Sequence, residues 1–190
     1  MAAPPLDLPG YFARDVVAVA RGLVGAEIFV DGVGGIITET EAYHPSEPAS
    51  HAHRGPTPRN AAMFLGPGHV YIYRIYGIHW CLNFVGADGA AVLIRALEPT
   101  AGLAAMIERR GLSAPRDLCS GPGKLCAALG LSRREDGRRL AEPPFAFRPA
   151  TRESPVLTGR RIGITRAVEL PWRFGMAGSS YLSRGFPRSS

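Results

Sequence analysis

Residues 90 to 97 form a nearly continuous apolar run, interrupted only by Arg95. A run of this length and composition fits a β-strand that is buried on both faces, which requires a central sheet. Segments that alternate or are rich in β-forming residues predict the other strands of this sheet, and residues 31–34 are predicted to form the turn of a hairpin. These strands are expected at 26–30, 35–43, 69–75 and 80–85.

Helical signals are short and irregularly spaced among the strands. One helix is predicted from Val16 to about Gly25. A second begins after Thr100 as N-cap, directs Leu103, Met106 and Ile107 inward and stops at Gly111. A third spans 122–130, and 161–167 is predicted to be a further strand. With 23 glycines and 17 prolines, the elements must be short. We therefore predict an α+β fold, a single compact domain with a curved, mainly antiparallel sheet flanked by short helices and many loops.

The 190 residues are too few to argue for two domains, so 1–190 is predicted to be one domain. Residues 1–10, with three prolines, are expected to form a flexible arm. Residues 132–160 are charged and broken by prolines, which indicates a variable surface region. The long segment 44–60 is predicted to be an ordered, functional loop.

The formal charge of +6 indicates a field that attracts anions, either nucleic acid or an acidic membrane. Lys124 is the only lysine among 22 basic residues, and arginine binds phosphate oxygens in a bidentate manner. Compositional drift would explain the same bias. The three cysteines match no zinc or disulfide pattern and are expected to be reduced and buried. No apolar leader or membrane-spanning run is seen, so a cytoplasmic location is expected.

A candidate acidic site lies at 37–43, because strand alternation places Ile37, Glu39, Glu41 and Tyr43 on one face. A solvent-exposed strand face is the alternative interpretation. Arg95 lies inside an apolar strand, and an unpaired buried guanidinium is costly. Arg95 should therefore lie at a functional surface or pair with a carboxylate such as Glu41.

Further chemistry is suggested by histidines and tyrosines. His51 and His53 beside acidic residues would suit a metal or acid/base site, although the spacing of a third ligand is not fixed. Tyr71 and Tyr73 share a strand face while Tyr76 points away, so these rings either belong to the core or stack on bases. The segment 120–124 could hold phosphate at a helix start. The candidate phosphate contacts are Arg54, Arg59, Ser120, Gly121 and Lys124.

Together these segments resemble the alkyladenine (3-methyladenine) DNA glycosylase family in a bacterial form. The resemblance extends from about Phe12 to about Ser183. It is carried by the strand 39–43, the loop ending in 57–60, the stretch 71–83, the segment 95–99 and Cys119-Ser120-Gly121-Pro122.

The resemblance implies roles for individual residues. Glu41 would be the general base that activates water, assisted by Arg95. Tyr43, His51 and Tyr73 would contact the base, and Asn83 would lie where the 2-amino group of guanine clashes. Tyr76 would be the wedge in the duplex.

We therefore expect a monomeric DNA glycosylase of base excision repair that acts on damaged purines in duplex DNA, without a cofactor or metal. With one lysine available as an amine nucleophile besides the terminus, water is the expected nucleophile, which leaves an abasic site. A metal-dependent hydrolase using His51, His53 and Glu41, and a non-catalytic nucleic-acid-binding module, are the alternatives.

Overall fold

A curled, mainly antiparallel half-barrel sheet forms the centre of the molecule and confirms the predicted fold class. The computed structural model describes residues 7–151 and 154–187. Within these ranges the sheet has eight strands. They are β1 (Glu27–Val30), β2 (Val33–Tyr43), β3 (Val70–Ile75), β4 (His79–Val85), β5 (Ala91–Ala101), β6 (Phe145–Arg148), β7 (Val156–Gly159) and β8 (Arg173–Met176).

The long strand β2 organises the sheet because it has three neighbours. The main order is β3-β4-β5-β2-β1-β6, and β8 also pairs with β2 and β7. β5 pairs along most of one edge of β2, whereas the opposite edge pairs first with β1 and then, at 39–41, with β8. The two carboxylates of β2 therefore lie where the strand changes neighbours.

A β-bulge at Thr38 changes which side chains share a face of β2. Ile37 is paired with Leu97 and Glu39 with the adjacent Ala96, so Thr38 is an extra residue on β2. Ile37 packs in the main hydrophobic core, while Glu39 binds Arg95. The prediction that Ile37 lies on the face of Glu39, Glu41 and Tyr43 was therefore wrong.

Short helices cover the core face of the sheet. They are α1 (Leu8–Phe12), α2 (Val16–Gly22), α3 (Leu103–Arg110), α4 (Pro115–Leu118) and α5 (Pro122–Leu129), with three 3-10 turns at 61–64, 87–89 and 133–135. Asp15 caps α2 by accepting a hydrogen bond from the backbone N–H of Ala18 at 2.8 Å. The core combines Phe12, Phe84, Ile94 and Met106, all nearly or fully inaccessible to solvent.

Two expectations for α3 were wrong. Thr100 is not its N-cap, because β5 continues to Ala101 and pairs with β2; Gly102, in the left-handed conformation, precedes the helix instead. Met106 is buried as predicted, but Ile107 is exposed and Leu103 only half-buried. The end of α3 at Gly111 is confirmed.

The later segments are tied more closely to the core than predicted. Residues 132–160 include β6 and β7, and Leu140 and Phe145 are buried, so this region is not surface structure alone. Residues 161–167 form an irregular loop rather than a strand. Part of the predicted arm, 1–6, lies outside the described residues, whereas residues 8–10 belong to α1.

The cysteines agree with the expectation from sequence. Cys81, Cys119 and Cys126 are free and buried. In the described part of the chain, no helix combines the length and the apolar character needed to cross a membrane.

Candidate active site

Glu41 is fully buried, and both of its carboxylate oxygens accept hydrogen bonds. Oε1 accepts from the backbone N–H of Ile162 at 2.7 Å and lies 3.2 Å from Nη1 of Arg95. Oε2 accepts from the hydroxyl of Tyr43 at 2.8 Å. The predicted contact between Arg95 and Glu41 is therefore present as an ion pair, and the irregular loop after Arg161 supplies one of the two hydrogen-bond donors.

Burial raises the pKa of Glu41 above its ordinary value. Arg95, the N–H of Ile162 and the hydroxyl of Tyr43 oppose this rise, whereas the charge of Glu39 adds to it. Burial and the neighbouring charge of Glu41 also raise the pKa of Tyr43, so its phenol remains protonated and continues to donate. The result is a carboxylate with increased basicity and fixed orientation.

A cavity of about 570 Å³ adjoins this carboxylate. The three groups that hold Glu41, namely Tyr43, Arg95 and Ile162, all line it, so Glu41 lies directly behind the cavity wall. A cavity of this volume is within the range that accommodates small organic ligands.

Aromatic rings form one side of the cavity. Tyr71 and Tyr73 are stacked with ring centroids 5.5 Å apart, and the ring of His51 meets Tyr73 edge-on at 4.6 Å. Nδ1 of His51 lies 3.0 Å from the hydroxyl of Tyr71. Burial and the nearby charge of Arg59 lower the pKa of His51, which favours a neutral imidazole. The wall thus combines large π-surfaces with few charges.

Two further side chains shape the cavity. Asn83 is buried on β4, lines the cavity and donates from Nδ2 to the carbonyl of Tyr71 at 3.1 Å. The guanidinium carbon of Arg161 lies 4.6 Å from the ring centroid of Tyr43. Arg161 also forms a buried ion pair with Glu47, in which Nη1 lies 2.6 Å from Oε1. Tyr43 is therefore supported by a cation–π contact.

The turn between β3 and β4 extends from the rim of this cavity. Its first residue, Tyr76, is 80% exposed and has a left-handed backbone with φ of 52°. Ile78 in the same turn is also exposed. Apolar side chains so poorly covered, beside a deep cavity, are typical of a surface that contacts another molecule.

Comparison with known proteins agrees with this geometry. The family model described as methylpurine-DNA glycosylase (MPG) matches residues 10–180. A protein of Rhizobium etli is 60% identical over 94% of this chain and 89% of its own length. One of Nitrosospira multiformis is 54% identical over 98% of this chain and 96% of its own length. Both carry the name "Putative 3-methyladenine DNA glycosylase".

The chain belongs to the methylpurine-DNA glycosylase family. It is thus placed among DNA glycosylases, hydrolases that act on N-glycosyl bonds in base excision repair. The family resemblance predicted from the sequence is confirmed, whereas the roles of individual residues stay predictions.

The candidate phosphate contacts lie on two sides of the glycosylase cavity. Arg59 lines it and donates from Nη2 to the carbonyl of Arg74 at 3.2 Å, and Arg54 is exposed nearby in the 44–60 loop. Lys124 is exposed on α5 and donates to the hydroxyl of Ser120 at 3.1 Å. Gly121 is buried between them.

The two histidines of the His-x-His pair diverge in this glycosylase. His51 faces the aromatic cavity, whereas Nδ1 of His53 lies 3.0 Å from the carbonyl of Pro45. Across residues 7–151 and 154–187, no three His, Cys, Asp or Glu side chains are grouped so that they could hold a metal ion. The metal-dependent alternative gains no support from this arrangement.

Sequence reasoning missed several groups of the glycosylase site. Residues 162–166 line the cavity although they were predicted to form a strand, and Arg161 was not identified as the support of Tyr43. The sequence left Tyr71 open as either a core ring or a stacking ring, and the structure places it both in the core and in the cavity wall. The position of the loop could not be read locally, because its anchor Glu47 lies 114 residues earlier.

Proposed function

We propose that this enzyme takes a damaged purine out of a DNA duplex, binds it in the aromatic cavity and hydrolyses its N-glycosidic bond. The observation that carries the proposal is a buried carboxylate, Glu41, which accepts two hydrogen bonds, forms an ion pair with Arg95 and lies directly behind a cavity walled by stacked rings. Glu41 acts as general base toward water.

The hydrogen bonding of Glu41 leaves capacity for water. A carboxylate oxygen can accept two hydrogen bonds, and Oε2 has only the hydroxyl of Tyr43 as a partner among the described residues. A water that enters from the cavity beside Tyr43 and Arg95 donates its proton to this oxygen. The raised pKa of Glu41 strengthens it as a base, and its negative charge stabilises an oxocarbenium-like sugar.

The cavity wall suits a positively charged leaving group. Alkylation at a ring nitrogen gives a purine a positive charge, and a cation is attracted to the faces of aromatic rings. Tyr71 and Tyr73 offer stacked rings, and a neutral His51 avoids like-charge repulsion. Asn83, rigidly held by the carbonyl of Tyr71, limits the space beside the base and so contributes to discrimination.

Around the cavity, the protein contacts the DNA through the phosphate backbone of the duplex and through Tyr76. Tyr76 projects from the β3–β4 turn and fills the space left by the extruded nucleotide. Arg54 and Arg59 on one side, and Ser120, Gly121 and Lys124 on the other, contact phosphates. All residues proposed for the site belong to one chain, so we propose that the enzyme acts as a monomer on duplex DNA.

The reaction ends at an intact abasic site. A lyase step requires an amine nucleophile, and Lys124 is the only lysine. Its ammonium lies at the surface, bonded to Ser120, whereas Glu41 is buried behind the cavity.

The proposal is tested with duplexes that each carry one damaged purine, among them 3-methyladenine, hypoxanthine and ethenoadenine. Base release followed by alkali should cut the strand, and no cut should form without alkali. Glu41→Gln should abolish release while lesion binding persists, and Glu169→Gln, at an exposed carboxylate, should behave as wild type. Full activity of Glu41→Gln would remove Glu41 from the reaction, and binding without release from any duplex would support the binding-module alternative.

A further inference from the structure

A second buried carboxylate, Glu39, lies two residues before Glu41 and has no part in the proposed reaction. Its Oε1 accepts from Nε of Arg95 at 3.0 Å, from Nε of Arg173 at 2.7 Å and from the hydroxyl of Ser183 at 2.8 Å. Its Oε2 accepts from the backbone N–H of Ser183 at 2.6 Å. A buried charge is costly unless it is compensated, and here four donors compensate it.

Ser183 belongs to a segment, residues 181–187, that crosses this part of the sheet and is called the C-terminal strap below. The hydroxyl of Thr38, the bulge residue of β2, donates to the carbonyl of Tyr181 at 2.8 Å. Arg173 donates to the carbonyl of Arg184. The ring of Phe186 lies 3.9 Å from the guanidinium carbon of Arg173. Polar and apolar contacts thus fix the C-terminal strap beside Glu39.

Packing at Gly175 shows how closely the C-terminal strap approaches β8. A methyl group at this position would lie 2.4 Å from the ring of Phe186, which is too close for any side chain. The ring occupies that space because Gly175 has no side chain. The C-terminal strap therefore lies directly on β8 at Gly175, the residue that pairs with Glu39.

The network divides the donors of Arg95 between two tasks. Nε binds Glu39, and Nη2 donates to the hydroxyl of Ser183 at 3.3 Å. Nη1 lies toward Glu41 at 3.2 Å. A guanidinium is planar, so fixing Nε and Nη2 also fixes the direction of Nη1. Arg173 supplies a second positive charge to Glu39, which leaves the charge of Arg95 available to Glu41.

We propose that Glu39 and Ser183 are positioning residues that aim Arg95 at Glu41, and that the C-terminal strap is therefore part of the catalytic apparatus. This inference rests on the proposed function, because Glu41 is taken as the base. Ser183 affects the rate through Arg95 and does not contact the substrate.

The first test compares Ser183→Ala with Ser180→Ala, which removes an exposed hydroxyl from the adjoining residues. Ser183→Ala deletes the hydrogen bonds that the hydroxyl makes with Glu39 and Arg95, but keeps the backbone N–H that binds Glu39. Single-turnover base release should slow at least about tenfold, the scale of one hydrogen bond to a charged group. Lesion-duplex affinity and the melting temperature should stay close to those of Ser180→Ala. Ser183→Thr, which keeps the hydroxyl, should recover most of the rate.

The second measurement tests the contact between Arg95 and Glu41 through the pKa of Glu41, without any reaction. The pKa of Glu41 is measured by carboxyl ¹³C NMR, and its signal is assigned by its absence in Glu41→Gln. This pKa should be higher in Ser183→Ala than in Ser180→Ala, because a less well-aimed Arg95 stabilises the carboxylate less. The same rate and the same Glu41 pKa in both variants would overturn the inference. A shifted pKa in a protein that releases no base would overturn the proposed reaction but support the positioning.

Discussion

The hydroxyl of Tyr43 donates a hydrogen bond of 2.8 Å to Oε2 of Glu41, two residues earlier on the same strand. Both side chains therefore lie on one face of β2, which joins a ring of the aromatic cavity directly to the carboxylate behind it. Tyr43 should therefore contribute to binding of the base through its ring and to the chemistry of water through its hydroxyl.

Tyr43→Phe separates these two effects, because it keeps the ring and removes the hydroxyl. We expect base release to slow about tenfold, the usual scale for a hydrogen bond to a charged group, with little change in lesion affinity. The pKa of Glu41 should rise further, since the hydroxyl lowers it. Rates measured from pH 4 to 8 would check this, with Tyr11→Phe as a control far from the site. An unchanged rate in Tyr43→Phe would contradict a role for this bond.

The wild-type enzyme should lose activity in acid at a higher pH than an ordinary glutamate would dictate. The proposed base, Glu41, would act only when deprotonated, so activity should be present above its pKa and be lost as the pH falls through it. Burial raises that pKa above 4.5, which moves the acid limb upward. The measurement is single-turnover release from a cationic lesion, with a parallel check that the protein remains folded. A limb at or below pH 4.5 would show that another group controls the rate.

Tyr76→Asn should separate stability from DNA binding. Asparagine tolerates a left-handed backbone better than tyrosine does, so the melting temperature should not fall. Affinity for lesion duplex should weaken about tenfold, the scale of one stacked ring, whereas single-stranded DNA should be affected less. Tyr76→Phe is the matched control and should retain binding. Equal losses for duplex and single strand would argue against a wedge.

Arg59→Gln should change two measurable quantities. Removal of one phosphate contact should reduce the salt dependence of duplex binding by about one unit in log–log slope. Because the charge of Arg59 helps to lower the pKa of His51, that pKa should rise in the variant. Titration of the histidine by NMR and binding at several salt concentrations test both effects. A normal slope together with a shifted His51 pKa would place Arg59 in the cavity but away from the DNA backbone.

The strands of the sheet could be predicted where the local pattern of apolar residues matches their burial in the structure. The strands predicted at 90–97 and in the hairpin 26–43 are present, because the period of apolar residues in each matches its burial in the sheet. Glu41 and Arg95 were paired correctly for a related reason, since a guanidinium inside an apolar strand needs a carboxylate.

The remaining errors arose from tertiary contacts. Thr100 has a good capping side chain, but pairing of β5 with β2 keeps it extended. The bulge at Thr38 depends on the register of two strands and has no local signature. Residues 161–167 have the composition of a strand, but the buried pair of Arg161 with Glu47 holds them as a loop over the cavity. The role of such a loop depends on a partner that is distant in sequence.

Groups that bind the two buried glutamates of β2 come from remote parts of the polypeptide. Ile162 is 121 residues from Glu41, and Ser183 is 144 residues from Glu39. Contacts of such high contact order form late in folding, because the entropy of closing long loops must be overcome first. A chain in which only the early hairpin has formed would contain both glutamates but lack the N–H groups of Ile162 and Ser183 that bind them, so hydrolysis should depend on completion of the native topology.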